Sequence, residues 1–399
     1  MPRNIEQLPE FDINAAFASH ADFDKLVMAA HERGPLARSA RGLEVLGYEE
    51  CVGLLRDKRL ESDHMALVNA MEFPAGPARE FKENMLLSHG RDEYRTKIRQ
   101  ALMRAIGPGA VEAQRSMIRR LAKDILQEVD PNRAADLLQG YGFLLPARLF
   151  CMWFGAPLED APWVAGLSER VLKIFSFNPS DTPDIIAAYD ELFPYVQQRI
   201  DAAVAAPQDN LIGHFVKERQ NGQLTETELF YIVAMFNEAS TDNTAHGVAT
   251  AIGELMGDEQ RWQQVVDDPA LIPAAINESM RLSNRINSLP RYASEDLVYQ
   301  DVAIPKGTPV FHVLRAAHRD PRAYEAPLNY DPHRDSAKGV LDFGGGVYTC
   351  LGKHVALIEI QEAVAELASS FPRARVCEFS IDTNMFVNAV SRLQIQLNG

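Results

Sequence analysis

Phe343-Gly344-Gly345-Gly346-Val347-Tyr348-Thr349-Cys350-Leu351-Gly352 is the stretch on which the reading of this chain turns. One aromatic residue and three glycines lead to a single cysteine, and a segment of helical character, residues 354–371, follows. Glycines let such a loop fold tightly and leave backbone N–H groups clear to point at the sulfur. A cysteine at a loop-to-helix junction also sees the positive end of the helix, which lowers its pKa toward thiolate. The plainer alternative is a glycine-rich turn that holds a buried cysteine.

Composition narrows the classes. The 399 residues are enough for a large core, and 46% hydrophobic with 24% charged is an ordinary globular balance. A formal net charge of −15 gives nucleic-acid binding no electrostatic support. Cys51, Cys151, Cys350 and Cys377 are scattered, with no C-x-x-C pair, which points to reduced thiols in a cytoplasm rather than a disulfide framework. Residues 1–12 are polar and acidic, unlike a signal peptide or anchor. The most apolar stretch, residues 141–158, carries Arg148 and two prolines. It falls short of the ~20 apolar residues a bilayer span needs and reads as a buried helix. A soluble, cytoplasmic protein with no membrane and no nucleic-acid partner is expected.

No linker or repeat divides the chain, so residues 1–399 read as one domain, mainly α with a small β-sheet region. Residues 36–47 read as a strand pair and 48–57 as a short amphipathic helix. Residues 61–88, with Pro74, Gly76 and Pro77, read as a long irregular loop, a kind of segment that is often functional. From 92 to 254 the pattern is mostly helical, with Met117, Ile118, Leu121, Ile125 and Leu126 on one stripe. Thr225-Glu226-Thr227-Glu228 is a capping box. It opens a helix expected to run unbroken to about Met256, on the order of 45 Å. Val298, Val302, Ile304, Val310 and Phe311 flank a Pro305–Thr308 turn and read as strands, as do residues 386–397.

The pattern Phe-x-x-Gly-x-x-x-Cys-x-Gly, here Phe343, Gly344 and its neighbours, Cys350 and Gly352, resembles the haem-binding signature of the cytochrome P450 family. A thiolate is a known axial ligand of haem iron. Three further motifs stand in the family's order. Glu278-Ser279-Met280-Arg281 places an acid and a base on one helix face. The resemblance implies that Glu278, Arg281 and Arg334 form a buried structural triad. It also implies haem b as cofactor, with Cys350 as metal ligand. Arg99 and Arg291 would bind the propionates, because carboxylates need cationic partners. Arg95 and Tyr348 stand where relatives often carry histidine, and both still donate hydrogen bonds.

Ala239-Ser240-Thr241-Asp242-Asn243-Thr244 resembles the family's oxygen-activation motif. The resemblance makes Asp242 and Asn243 the catalytic pair. Asn243 replaces a threonine whose hydroxyl aids proton delivery in most relatives. Thr244 is turned by ~100° and does not take its place. Met235, Glu238, Ala239 and Asp242 share a face by helical spacing. Glu238 stands where relatives carry an apolar residue, and a carboxylate there needs a partner. That partner is either a polar group of the substrate or a neighbouring helix. Met65, Phe73, Phe175, Ile286, Leu289 and Phe386 are the apolar pocket candidates.

The resemblance implies a haem-thiolate monooxygenase that inserts one oxygen atom from O2 into a small organic substrate by hydroxylation, epoxidation or oxidative demethylation. Electrons would come from a separate ferredoxin-type donor, with no reductase fused to the chain. Arg95, Lys97, Arg99, Arg104 and Lys353 offer a basic patch for that donor. A peroxide-driven or oxidative-coupling enzyme and a non-catalytic haem sensor are the alternatives.

Overall fold

The computed structural model describes residues 2–62, 64–334 and 338–398. The helices that carry the site are α1 (Tyr48–Arg56), α2 (Pro77–Glu83), α3 (Glu93–Ile106), α4 (Thr182–Ala205), α5 (Glu226–Ser240), α6 (Asp242–Met256), α7 (Ile272–Leu282) and α8 (Lys353–Ser370). The strands of the main sheet are β1 (Leu36–Ser39), β2 (Gly42–Val45), β3 (Leu60–Glu61), β4 (Ser288–Ala293) and β5 (Pro309–Val313). The fold is mainly α with small sheets, as the sequence suggests. The chain packs into two compact units, one of residues 1–63, 270–350 and 380–391, the other of 64–269, 351–379 and 392–399.

The first unit is built on a five-stranded sheet in the order β1-β2-β5-β4-β3. β1 and β2 form the expected hairpin, with Ser39 opposite Gly42. Gly42 has φ +140°, and a Cβ there would lie 2.4 Å from the Pro309 carbonyl oxygen, so only glycine closes this turn against β5. β2 and β5 run parallel, Leu43 beside Val310, while β4 returns antiparallel to β5. Leu43, Val45, Leu54, Val310 and Leu341 form the core between the sheet and α1. A smaller sheet joins Arg3–Asn4 to the hairpin Leu297–Tyr299 and Val302–Ile304.

In the same unit Glu278 of α7 accepts two hydrogen bonds from Arg281, each 2.8 Å, one from Arg334 at 3.0 Å and one from the Asp331 N–H at 2.9 Å. Arg281 also donates to the carbonyls of His318 (2.7 Å) and Pro327 (2.6 Å). Arg334 donates to the carbonyls of Glu325 and Ala326. The expected triad therefore exists, and Glu278 and Arg281 are 3% and 2% exposed.

The second unit is helical. α8 packs on helix Arg115–Glu128 and on α6. Ile118, Leu121, Ile125 and Leu126 are buried along the predicted stripe. The apolar stretch around residue 150 is the buried helix Leu144–Phe154, and among the described residues no helix is long and apolar enough to cross a membrane.

Two expectations need correction here. Residues 61–88 are not a plain loop, because they hold a helix His64–Ala70 and α2. Nor is the helix from Thr225 to Met256 continuous. Its capping box is present, yet α5 ends at Ser240 and α6 starts at Asp242, with Thr241 at φ −86°, ψ −63°. Ser240 Oγ donates to the Phe236 carbonyl at 2.5 Å, a back-bond to position i−4 of the kind that bends helices.

Glu278→Ala leaves the Arg281 guanidinium buried without its carboxylate. The expected loss is about 3–5 kcal/mol of stability, read as a lowered urea midpoint with unchanged slope. A loss under about 1 kcal/mol would make the triad incidental.

Candidate active site

The cysteine loop is closed by its own backbone. The Cys350 N–H donates to the Phe343 carbonyl at 2.8 Å, and the Gly344 N–H to the Leu341 carbonyl at 2.8 Å. Gly344 and Gly346 take left-handed φ values of +65° and +63°, which favour glycine. A Cβ at Gly346 would lie 2.7 Å from the Leu55 carbonyl oxygen, so the loop rests on the end of α1. Cys350 ends up exposed, unlike Cys51 and Cys151, which are buried. The plainer alternative of a buried cysteine in this turn is thus set aside. α8 begins just past Gly352, which has no side chain with which to cap it.

Two of the expected propionate partners meet in this unit. The Arg291 guanidinium lies over the Tyr348 ring, 4.7 Å from its centroid. Leu289, next to them on β4, lies near Gly344. Ile286 pairs with Val387, which brings Phe386 alongside, its ring 6.4 Å from Phe311. Ile286, Leu289 and Phe386 are half-buried.

His318 was not singled out from the sequence, yet it orders the loop. Its Nε2 accepts the Leu341 N–H at 2.9 Å, just before Leu341 receives Gly344. Burial, then the nearby Arg281 and Arg319, push His318 down to about 3. Burial and then Arg291 do the same to His312, also about 3. Nothing in the local sequence marks either histidine.

In the second unit the oxygen-activation segment sits at the break between α5 and α6. Asp242 is buried, with His246 Nε2 3.6 Å from its Oδ1, one helical turn on. The His246 ring stands edge-on to Phe143. The spacing Asp-x-x-x-His was open to view, so His246 could have been found. Asn243 is half-buried and Ala239 exposed, whereas Glu238 is buried. Glu238 turns inward. Its Oε1 accepts from Lys82, and its Oε2 accepts the Tyr189 hydroxyl at 2.6 Å. Of the two partners open to Glu238, the neighbouring-helix one is present.

The remaining candidates belong to the second unit. Arg95 on α3 is buried and donates to the carbonyls of Leu86 and His89, while Arg99, one turn on, is half-buried. Phe73 is buried, and Phe175 and Met235 half-buried. The basic patch is smaller than its residues suggest. Lys97 is paired with Glu228 at 2.6 Å and Arg104 with Glu218 at 2.8 Å.

This arrangement can be set beside known proteins. The pattern of the family described as Cytochrome P450 matches residues 260–380. Luteothin monooxygenase of Streptomyces thioluteus is 31% identical over 348 residues, 86% of this chain and 85% of that protein. This chain belongs to the cytochrome P450 family. The P450 solved with epothilone D bound superposes with a TM-score of 0.85 at 21% identity, covering 96% of this chain and 98% of that one. The tirandamycin C-bound P450 monooxygenase gives 0.80 at 25% identity, over 94% and 98%. The P450 is accordingly an oxidoreductase, and the family implies a haem iron with a thiolate ligand.

Acid should loosen this P450 through its buried histidines. The unfolded chain binds a proton at each near pH 6.5, the folded one only near pH 3. Stability is therefore whole above about pH 6.5 and falls as pH drops below it. His318→Gln keeps an acceptor for Leu341 and should flatten the slope of unfolding free energy between pH 5 and 6.5 by up to about 1.4 kcal/mol per pH unit. An unchanged slope in urea titrations would show that His318 is not a proton-linked site.

Proposed function

We propose that Cys350 is the axial ligand of haem b, and that the enzyme inserts one oxygen atom of O2 into a small organic substrate by hydroxylation, epoxidation or oxidative demethylation. The observation that carries this reading is the loop itself, closed from Cys350 N–H to Phe343 O with its thiol exposed. The donor set suits haem. Cys350 is exposed, and Arg291 against Tyr348 offers cationic and hydroxyl donors for a carboxylate. For Arg99 and Arg95 of α3 the same role rests on the family resemblance alone. When bound, a thiolate-ligated haem supplies the activation of dioxygen, with two electrons and two protons consumed and the second oxygen atom leaving as water.

The chain's own residues then hold and move protons. Asp242, with His246 at 3.6 Å, is the buried carboxyl that passes a proton inward. The Asn243 amide both donates and accepts, so it can hold a water in line, but it has no hydroxyl proton to relay. The names of similar proteins (luteothin, epothilone D, tirandamycin C) support a small organic substrate here. Both Glu238 oxygens are engaged, which weakens the case for a cationic substrate handle. A separate ferredoxin-type electron donor completes the reading, on a basic surface reduced to fewer residues than first counted. Asn243 favours a second reading, a peroxide-driven enzyme, since it lacks the hydroxyl.

Reduced protein under carbon monoxide should give a strongly red-shifted Soret band, lost in Cys350→Ala. A histidine-type band in both proteins would overturn the ligand assignment. Asn243→Thr should raise the fraction of NADH electrons recovered in product about 2- to 10-fold if water alone now bridges the gap, against the 10²–10⁴-fold span of general acid–base effects. Turnover with hydrogen peroxide alone, faster than with any ferredoxin system, would instead favour the second reading.

A further inference from the structure

Lys82 is a costly place for a charge. Among the described residues of 64–92 it is the only charged side chain with 0% exposure. It lies on α2 and reaches Glu238 on α5, immediately before Ala239 of the oxygen-activation segment. Tyr189 of α4 donates to the other oxygen of Glu238, and the Lys82 ammonium stands 5.4 Å from the Tyr189 ring centroid. Three helices thus meet on one buried carboxylate. His64 is close by and half-buried. Burial and then Lys82 push it down to about 4, so it is neutral at ordinary pH and does not compete for Glu238.

The neighbouring residue shows what the ion pair adds. Phe81 is packed among Tyr189, Phe193 and Tyr231, at centroid distances of 5.5, 5.6 and 5.7 Å. That apolar contact is enough to hold α2 against α4 and α5. An apolar contact is non-directional, however, and a seven-residue helix can rotate or slide on it. A buried ion pair contributes little net stability over an apolar one, but it admits one register. The Lys82 carbonyl also accepts from Ser88 Oγ at 2.5 Å, which carries the fixed position on along the segment.

We propose that Lys82 is a positioning residue, whose pair with Glu238 fixes the register of α2 against the segment that begins at Ala239 and so sets the wall that a ligand meets there. The site concerned is the one read above as oxygen-activating, and the inference rests on that reading.

The test uses the purified holoenzyme with Lys82→Met, Glu238→Gln and the double variant Lys82→Met/Glu238→Leu. Hydrogen exchange reads the amides of α2, and the Soret shift reads binding of imidazole and of 4-phenylimidazole. Each single variant should speed exchange in α2 by about tenfold or more, with α6 beyond residue 250 unchanged. The ratio of the two azole affinities should also shift, because the phenyl ring meets the wall and imidazole does not. The double variant, which leaves no charge buried alone, should restore slow exchange but not the original ratio. Should a single variant fail to fold, Tyr189→Phe removes one hydrogen bond from Glu238 and should perturb α2 in the same sense. Exchange at the wild-type rate, acceleration spread evenly over the helices, or an unchanged azole ratio would each overturn the inference. A wild-type protein without a thiolate-type carbon monoxide band fails the functional reading instead, and the exchange arm then judges only whether the Lys82–Glu238 pair holds α2 in place.

Discussion

A carboxylate with four hydrogen bonds underlies the first unit. Glu278 binds Arg281 twice, Arg334 once and the Asp331 backbone once. Because Arg281 also holds the carbonyls of His318 and Pro327, the same buried charge orients the residue whose imidazole receives Leu341. Leu341 in turn takes the Gly344 N–H that starts the cysteine loop. The position of Cys350 is thus a few hydrogen bonds removed from an ion pair on α7. Such pairs are weak contributors when whole and costly when broken, so this arrangement constrains the site more than it stabilises the fold.

The second unit uses a buried charge differently. Glu278 organises loops around one helix, whereas Glu238 joins side chains from α2, α4 and α5. Just past it the helix breaks at Thr241, and Asp242 and Asn243 open the next one. Asp242 stands at this break, with His246 one helical turn on.

The sequence was most readable where the signal is local. The strand pair of residues 36–47, the capping box at Thr225, the Glu-x-x-Arg spacing and the glycines before Cys350 each work within a few residues. Each stands as expected. What it did not disclose depends on distant packing. α2 and the helix His64–Ala70 have seven residues each, too few to display a helical period. The break at Thr241 follows a single back-bond from Ser240 inside a strongly helical pattern. Lys82 lies 156 residues from Glu238, and nothing near either residue announces the other. Paired acids likewise dispersed the basic patch, since Glu218 and Glu228 come from other helices.

The order of strands in the main sheet has a consequence for synthesis. β1 and β2 leave the ribosome early, but β2 pairs on its other side with β5, whose Val310 lies opposite Leu43. At ~5–20 residues per second, roughly 15–50 s separate the two strands. Throughout that interval β2 presents an unpaired edge carrying Leu43 and Val45, the kind of edge that recruits other chains. Yield of the folded protein should therefore respond more to the rate of translation and to chaperone supply than its final stability would suggest.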